Sequence, residues 1–367
     1  MKKILFAALA ALAITSCSQN EEIEAPTQKT EINFRSVVGK SSRAAEATTE
    51  NLESQGFILY AYNTKTITMD KVTAGSLTTT FINGKKATCT NSNWSVADGP
   101  YYWPIAENLQ FFAYSPEAGG ITNYATTGTY PSFTYTLQTI QTDLLAACVT
   151  DKAKTNSATS VGSVDLTFNH ILTQINFKLQ GKDTGFKYNV TSIKLSGVAN
   201  SGTYTYNADK GAWSAQTGNE EYTYNATYSE IDGTATSEIA TSSNALMLIP
   251  QNDLSSVKIT VTYSTTNDNG KVFEGTKEAT LTGTWDIGKK ILYTLTLPAG
   301  AEELTFTAQA DGWTNEDPQP SPIEPNKWHY KIFCVNGNTG FRNESRIFYF
   351  IHLQNEEAYE RKESSSA

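Results

Sequence analysis

Alternation of apolar and polar residues with a period of two runs through most of this chain and constrains its fold more than any other feature. Clear runs occupy residues 57–61, 109–113, 175–179, 257–263 and 291–297. A period of two places alternate side chains on one face of a β-strand. No long amphipathic helix pattern interrupts these runs. The sequence therefore predicts an all-β fold.

The segments between the runs are typical of tight turns. Asn267-Asp268-Asn269-Gly270 separates two runs and predicts a hairpin, because Asn and Gly tolerate positive φ angles. Many short strands in a chain rich in Thr and Tyr favour antiparallel β-sandwiches. The length of 367 residues suffices for two domains with real cores. A polar turn at Gln180–Asp183 predicts the boundary, which gives an N-terminal sandwich over 44–181 and a C-terminal one over 182–313.

The first 17 residues read as a secretion signal. Lys2 and Lys3 precede an apolar run from Ile4 to Ile14, which is too short for the roughly 20 residues that span a bilayer. The run ends in a segment, residues 14–17, that resembles the lipobox of bacterial lipoproteins, which implies lipidation of Cys17. The alternative is an ordinary signal peptide with a stray cysteine. Residues 18–22 resemble the acidic signal that sends such lipoproteins to the surface of the outer membrane.

The remaining composition narrows the chemistry. A net charge of −9 argues against a nucleic-acid partner. His170 is the sole histidine before residue 329, and its place between two strand patterns favours a structural role over catalysis. Motifs for nucleotides, metals or nucleophilic catalysis are missing from the sequence, so we expect no enzyme activity, cofactor or metal. Cys89 and Cys148 could pair after export or stay free.

Several phrases in fixed order resemble the fimbrillin family, the pilus subunits of Bacteroidales. They are Tyr102-Trp103-Pro104, then residues 109–116, 166–177, 246–251 and 285–293. The resemblance runs from Cys17 to Trp313. It implies two tandem transthyretin-like sandwiches, export as a lipoprotein, and assembly with other pilin subunits by strand exchange after cutting by an arginine-specific protease.

The same resemblance implies which segments take part in assembly. The strand to be removed is Glu31–Val37, with Ile32 and Phe34 as its inward residues, within an N-terminal segment over 18–43. The strand to be donated follows Leu297. Alternation within Ala301–Trp313 gives the donor candidates Leu304, Phe306, Ala308 and Ala310. This segment could instead be the last strand of its own subunit, with the donor further along the chain.

The distribution of arginine fits a protease cut between Arg43 and Ala44. Arginine occurs at 35, 43, 342, 346 and 361. An arginine-specific protease could therefore cut at Arg43 without finding a second site inside the predicted sandwiches. The segment around it has the small and charged residues of an exposed loop. The alternative is that lysine simply replaces arginine on this surface. The three later arginines would be exposed to the same protease.

The C-terminal part, residues 314–367, combines a proline-rich linker with a tail of different composition. It is either a functional tail or an altered C-terminus. Two other functions stay open beside the pilus subunit. One is a monomeric, lipid-anchored protein that binds glycans on Trp94, Trp103, Trp213 and Trp285. The other is a pilus anchor that keeps its lipid and is never cleaved.

Overall fold

A computed structural model of the protein describes residues 29–38, 48–117, 119–154, 162–224, 228–234, 236–238 and 245–312. In these ranges the chain forms 21 strands, one α-helix and one short 3-10 helix, so the predicted all-β fold is confirmed. The helices are α1 (Thr49–Gln55) and the 3-10 turn Met69–Lys71. The strands are β1 (Phe34–Val38), β2 (Phe57–Lys65), β3 (Thr80–Thr90), β4 (Asn93–Val96), β5 (Asn108–Ser115), β6 (Ile121–Ala125), β7 (Ser132–Thr136), β8 (Leu145–Lys152), β9 (Val164–His170), β10 (Thr173–Gly181), β11 (Lys187–Val198), β12 (Ser201–Thr205), β13 (Ala212–Thr217), β14 (Glu220–Tyr224), β15 (Tyr228–Asp232), β16 (Thr236–Glu238), β17 (Leu246–Leu248), β18 (Lys258–Asn267), β19 (Gly270–Thr280), β20 (Lys289–Leu297) and β21 (Thr305–Gly312).

The N-terminal part is built on a seven-stranded sheet with the order β1-β9-β8-β5-β2-β3-β4. The sheet curls, and its two edge strands β1 and β4 come into contact. Its concave side encloses a core that contains Phe57, Phe111 and Phe168. Helix α1 begins after the N-cap Thr48, whose side chain accepts a hydrogen bond from the Asn51 amide, and it buries Leu52 in this core.

The other side of the same sheet packs against a four-stranded sheet with the order β13-β12-β7-β6. Aromatic rings fill the space between these two sheets. Phe112 of β5 lies 5.3 Å from Tyr206, and Phe133 of β7 lies 5.5 Å from Tyr114, between ring centroids. The four-stranded sheet is a composite, because β7 from the first half of the chain pairs with β12 from the second half.

Two five-stranded sheets form the C-terminal sandwich. One has the order β16-β10-β20-β21 with β17 also on β10, and the other has the order β14-β11-β18-β19 with β15 also on β11. Their inward residues, such as Phe177, Ile193, Tyr263 and Tyr293, share one core. The predicted hairpin is confirmed, since Asn267 at the end of β18 faces Gly270 at the start of β19.

Most strand pairs are antiparallel, as predicted, and two are parallel: β1 with β9 and β10 with β20. Sheet membership changes between His170 and Thr173, because β10 pairs with C-terminal strands. The predicted domain boundary at Gln180–Asp183 stays a prediction. No described helix has the length and apolar character needed to cross a membrane.

Candidate functional site

Strand β1 closes one edge of the concave core and is the candidate site. Ile32, Phe34 and Val38 point into the core, and each is at least nine-tenths buried. The Phe34 ring meets the edge of the Phe111 ring at a centroid distance of 5.8 Å. Burying side chains of this kind stabilises a fold by about 1.5–3 kcal/mol each. Ile32 and Phe34 therefore lie inward, as expected for the strand predicted to be removable.

The sequence pattern left out part of the inward face of β1. The strand extends to Val38, and Ser36 also points inward and is buried. Continuing the period of two from Ile32 and Phe34 would have indicated both residues. The partner strand β9 and the parallel direction of the pairing had no local signal, because they depend on contacts about 130 residues apart.

Few backbone hydrogen bonds hold this segment beyond its ladder with β9. The Ile32 amide donates to the Tyr101 carbonyl at 2.8 Å, and the Trp103 amide donates to the Thr30 carbonyl at 2.9 Å. The Val164 amide donates to the Asn33 carbonyl at 2.8 Å. Over Phe34–Val38, β1 is paired on one side only among the described residues. The strand is therefore an edge element that could leave without breaking the rest of the sheet.

The outward residue Arg35 forms an ion pair across the β1–β9 junction. Its Nε lies 2.9 Å from Asp165 Oδ1, and both side chains are more than half exposed. Exposed pairs of this kind contribute about 0–1 kcal/mol. Arg35 adds little to the hold on β1 compared with the buried apolar residues.

The end of β1 and the start of α1 lie side by side. The Val38 amide donates to Thr49 Oγ1 at 3.1 Å, which brings together the two ends of the segment 39–47. The predicted cleavage residues Arg43 and Ala44 fall within that segment and lie outside the described residues. The predicted lipidation residue Cys17 also lies outside them. These three assignments stay predictions.

The predicted donor segment forms β21, an edge strand that pairs antiparallel with β20 of the same chain. Leu304 is buried, Phe306 is half-buried against Tyr293 at a centroid distance of 5.8 Å, and Ala308 and Ala310 are exposed. In this structure the segment is the last described strand of its own subunit. Its use as a donor stays a prediction.

His170 lies at the end of β9 in a buried polar contact. Its Nδ1 lies 2.5 Å from Asp143 Oδ2, and both residues are more than nine-tenths buried. The pair lies within the fold and out of reach of solvent. The geometry agrees with the predicted structural role.

The cysteines Cys89 and Cys148 are free thiols. They lie on β3 and β8, which are separated by β2 and β5, and Cys89 is also displaced along β3 from the position level with Cys148, so their backbones are more than about 10 Å apart at a strand spacing of about 4.8 Å. A disulfide needs Cα atoms within about 7 Å. Burial raises the pKa of the Cys148 thiol to about 12. Of the two alternatives, the structure shows the unpaired one.

The four tryptophans that lie within the described residues do not form an exposed platform. Trp103, Trp213 and Trp285 are buried, and Trp94 is half-buried with its ring 4.7 Å from that of Phe57. Their ring faces pack against the core and are not available for stacking on a glycan. The described residues also contain no group of His, Cys, Asp or Glu side chains arranged to hold a metal ion.

Comparisons with known proteins agree on one class. The sequence model of the fimbrillin-like family matches residues 42–313. Fimbrium subunit Fim1C of Phocaeicola vulgatus is 26% identical over 382 aligned positions, covering 88% of this chain and 99% of the relative. The crystal structure of a fimbrial protein from Bacteroides vulgatus ATCC 8482 has a TM-score of 0.58 at 22% identity, covering 77% of this chain and 99% of that one.

The all-β architecture and this family match together define a fimbrial class of protein. The chain belongs to the fimbrillin-like family. The resemblance read from the sequence is confirmed, and so is its β-sandwich fold.

Proposed function

We propose that this chain is a structural subunit of a cell-surface fimbrium that supports adhesion. It is exported as an outer-membrane lipoprotein through Cys17, cut between Arg43 and Ala44, and joined to the next subunit by replacement of β1. The similarity to a protein named as a fimbrium subunit supports the general role. The observation that carries the assembly step is the position of β1 as a one-sided edge strand over a deep apolar core.

The covalent connection explains why the cut matters. Burial of Ile32, Phe34 and Val38 holds β1 with roughly 5–9 kcal/mol before any entropy is counted. While the chain is intact, the short segment 39–47 returns β1 to its groove at a high effective concentration. After a cut at Arg43, β1 is held only by its contacts. Its loss would leave unpaired backbone groups on β9 and an empty apolar slot, which an incoming strand satisfies.

The candidate donor has the same spacing of inward residues as β1. Ile32, Phe34, Ser36 and Val38 correspond in order to Leu304, Phe306, Ala308 and Ala310. Both series therefore present a branched aliphatic residue, a phenylalanine and then two smaller residues. A second copy of this chain that releases β21 from β20 could place these side chains in the four positions that β1 vacates. The partner is thus another subunit of the same kind.

The cleavage step is tested by replacing Arg43 in the native cell. We expect the Arg43→Gln variant to stay at the cell surface as an intact lipoprotein that forms no detergent-resistant ladder in unboiled gels. N-terminal sequencing of the wild-type protein should find Ala44. The matched control is Arg35→Gln, which removes the other nearby arginine and only its exposed contacts with Asp165 and Ser163.

Two results would contradict the proposal. If the Arg43→Gln variant still formed a ladder and had the same N-terminus as the wild type, the cut would not depend on Arg43. A wild-type protein recovered as a diacylated, uncut monomer would favour a pilus anchor or a lipid-anchored protein that binds glycans.

A further inference from the structure

The inward face of β1 contains one polar residue among apolar ones. Ser36 is 8% exposed, between Phe34 at 6% and Val38 at 2%. Its hydroxyl oxygen has no hydrogen-bond partner among the described residues. A buried hydroxyl that loses its bonds to water without gaining a protein partner is destabilising.

The other buried serine on this sheet behaves differently. Ser115, at the end of β5, is 1% exposed, and its Oγ donates to the Gly56 carbonyl at 2.7 Å. The contrast shows that this fold satisfies a buried serine elsewhere in the same sheet. The mismatch at Ser36 is therefore a property of its position on β1.

A second polar group beside β1 shows the same mismatch. The indole nitrogen of Trp103 is buried without a partner among the described residues. The backbone of Trp103 binds the start of the β1 segment through the Thr30 carbonyl. Within the concave core, the described side-chain atoms left in this state are these two, and both border β1.

We propose that Ser36 weakens the binding of β1 in its groove, so that a strand with an apolar residue at this position can displace it. The inference rests on the proposed function and deepens it. In a second copy of this chain the corresponding residue is Ala308, which has no hydroxyl to desolvate. Ser36 opposes Leu166 of β9 in the pairing register, so the displacing residue meets an apolar neighbour.

The hold on β1 is measured by hydrogen exchange in the full-length, uncut chain. We expect Ser36→Ala to slow exchange of the Phe34–Val38 amides by roughly five- to a hundredfold, which is the factor that a relieved buried hydroxyl would give. Ser36→Cys replaces the hydroxyl with a somewhat larger thiol that acts as a small hydrophobe, so it should also slow exchange. The matched control Ser115→Ala loses a satisfied bond and should speed exchange in β5.

The consequence for assembly is measured in cells that make the same variants. Ser36→Ala should be cut normally and form its ladder more slowly than the wild type. The inference is overturned if both Ser36 variants exchange at β1 as fast as the wild type, or if slower exchange leaves the ladder rate unchanged. The proposed function fails on a different reading, namely a wild type that is never cut.

Discussion

Trp285 and Tyr293 show how a sequence phrase is explained by one contact. Trp285 precedes β20 and Tyr293 lies in the middle of it, and both are buried. The indole Nε1 of Trp285 donates to the Tyr293 hydroxyl at 2.8 Å. The spacing of eight residues in the family phrase therefore brings a donor to an acceptor inside the core. Such pairing is needed because each polar tip is removed from water.

This hydrogen bond predicts how removal of the Tyr293 hydroxyl changes the stability of the fold. Tyr293→Phe should lower the free energy of unfolding by about 1–3 kcal/mol, because the Trp285 donor is left buried and unpaired. Urea unfolding followed by tryptophan fluorescence measures the change. The control Tyr228→Phe alters a half-buried tyrosine and should shift the free energy by less than about 0.5 kcal/mol. Equal effects of the two variants would contradict the assigned role of the hydrogen bond.

Strand β11 shows how one glycine shapes an element. Gly197 has a φ of 77°, and the pairing register of β11 with β14 shifts between Leu195 and Val198. A Cβ at this position would overlap the backbone carbonyl oxygen of Ser256. The bulge thus needs a residue without a side chain, both for its φ and for the close approach of the neighbouring backbone.

A pair of alanine substitutions separates the two requirements. Gly197→Ala and Gly270→Ala both place a Cβ at positive φ, which costs about 1–2 kcal/mol. Only at Gly197 is there also a backbone atom in the way, whereas the space around Gly270 is open. Gly197→Ala should therefore lower the thermal midpoint of unfolding clearly more than Gly270→Ala. A larger loss at Gly270 would show that the crowding at Gly197 is relieved by movement.

The elements that the sequence predicted are those with local signals. Every clear period-two run became a strand, and the Asn- and Gly-containing turn became the β18–β19 hairpin. Helix α1 has only seven residues, too few for a periodic pattern to identify. The parallel pairs β1–β9 and β10–β20 were missed, because pairing partners far apart in sequence leave no mark in either strand.

The candidate site was predicted in part for the same reason. Ile32 and Phe34 alternate plainly and were identified as inward residues. Ser36 interrupts the apolar series. The period of two indicates its inward direction, but its lack of a hydrogen-bond partner among the described residues could be learned only from the packing of β1 against the core. The alternation of Ala308 and Ala310 lies on the edge strand β21, where both are exposed in their own subunit, so their role as donor residues stays a prediction.

At the scale of the whole molecule, the interior is rich in buried tyrosines. Burial raises the pKa of Tyr135 and of Tyr222 to about 12, and it raises the pKa of Tyr206 well above the usual 10. Tyr206 is almost fully buried, and its hydroxyl donates to the Ala113 carbonyl at 3.0 Å. The folded state therefore keeps protons that the unfolded chain would release.

This difference predicts that the folded state loses stability at high pH. For an acid whose folded pKa is raised, the stabilising contribution is complete below the unfolded pKa near 10 and is lost as the pH rises through the folded value near 12. We expect the phenolate absorbance of the buried tyrosines to appear in a late step that coincides with loss of the far-ultraviolet circular dichroism signal. Ionisation of the full set of tyrosines from about pH 10 in a protein that is still folded would contradict the burial.

The composite sheet that joins β7 to β12 has a consequence for how the chain is made. Strands β6 and β7 leave the ribosome some 65 residues before β12 and β13, which complete their sheet. Until then, the aromatic rings on the outer side of β5 have no cover, and the first half of the chain cannot reach its final state alone. Folding of the N-terminal half therefore waits on synthesis of the second half, which keeps the nascent chain unfolded for longer, as the proposed export across a membrane would require.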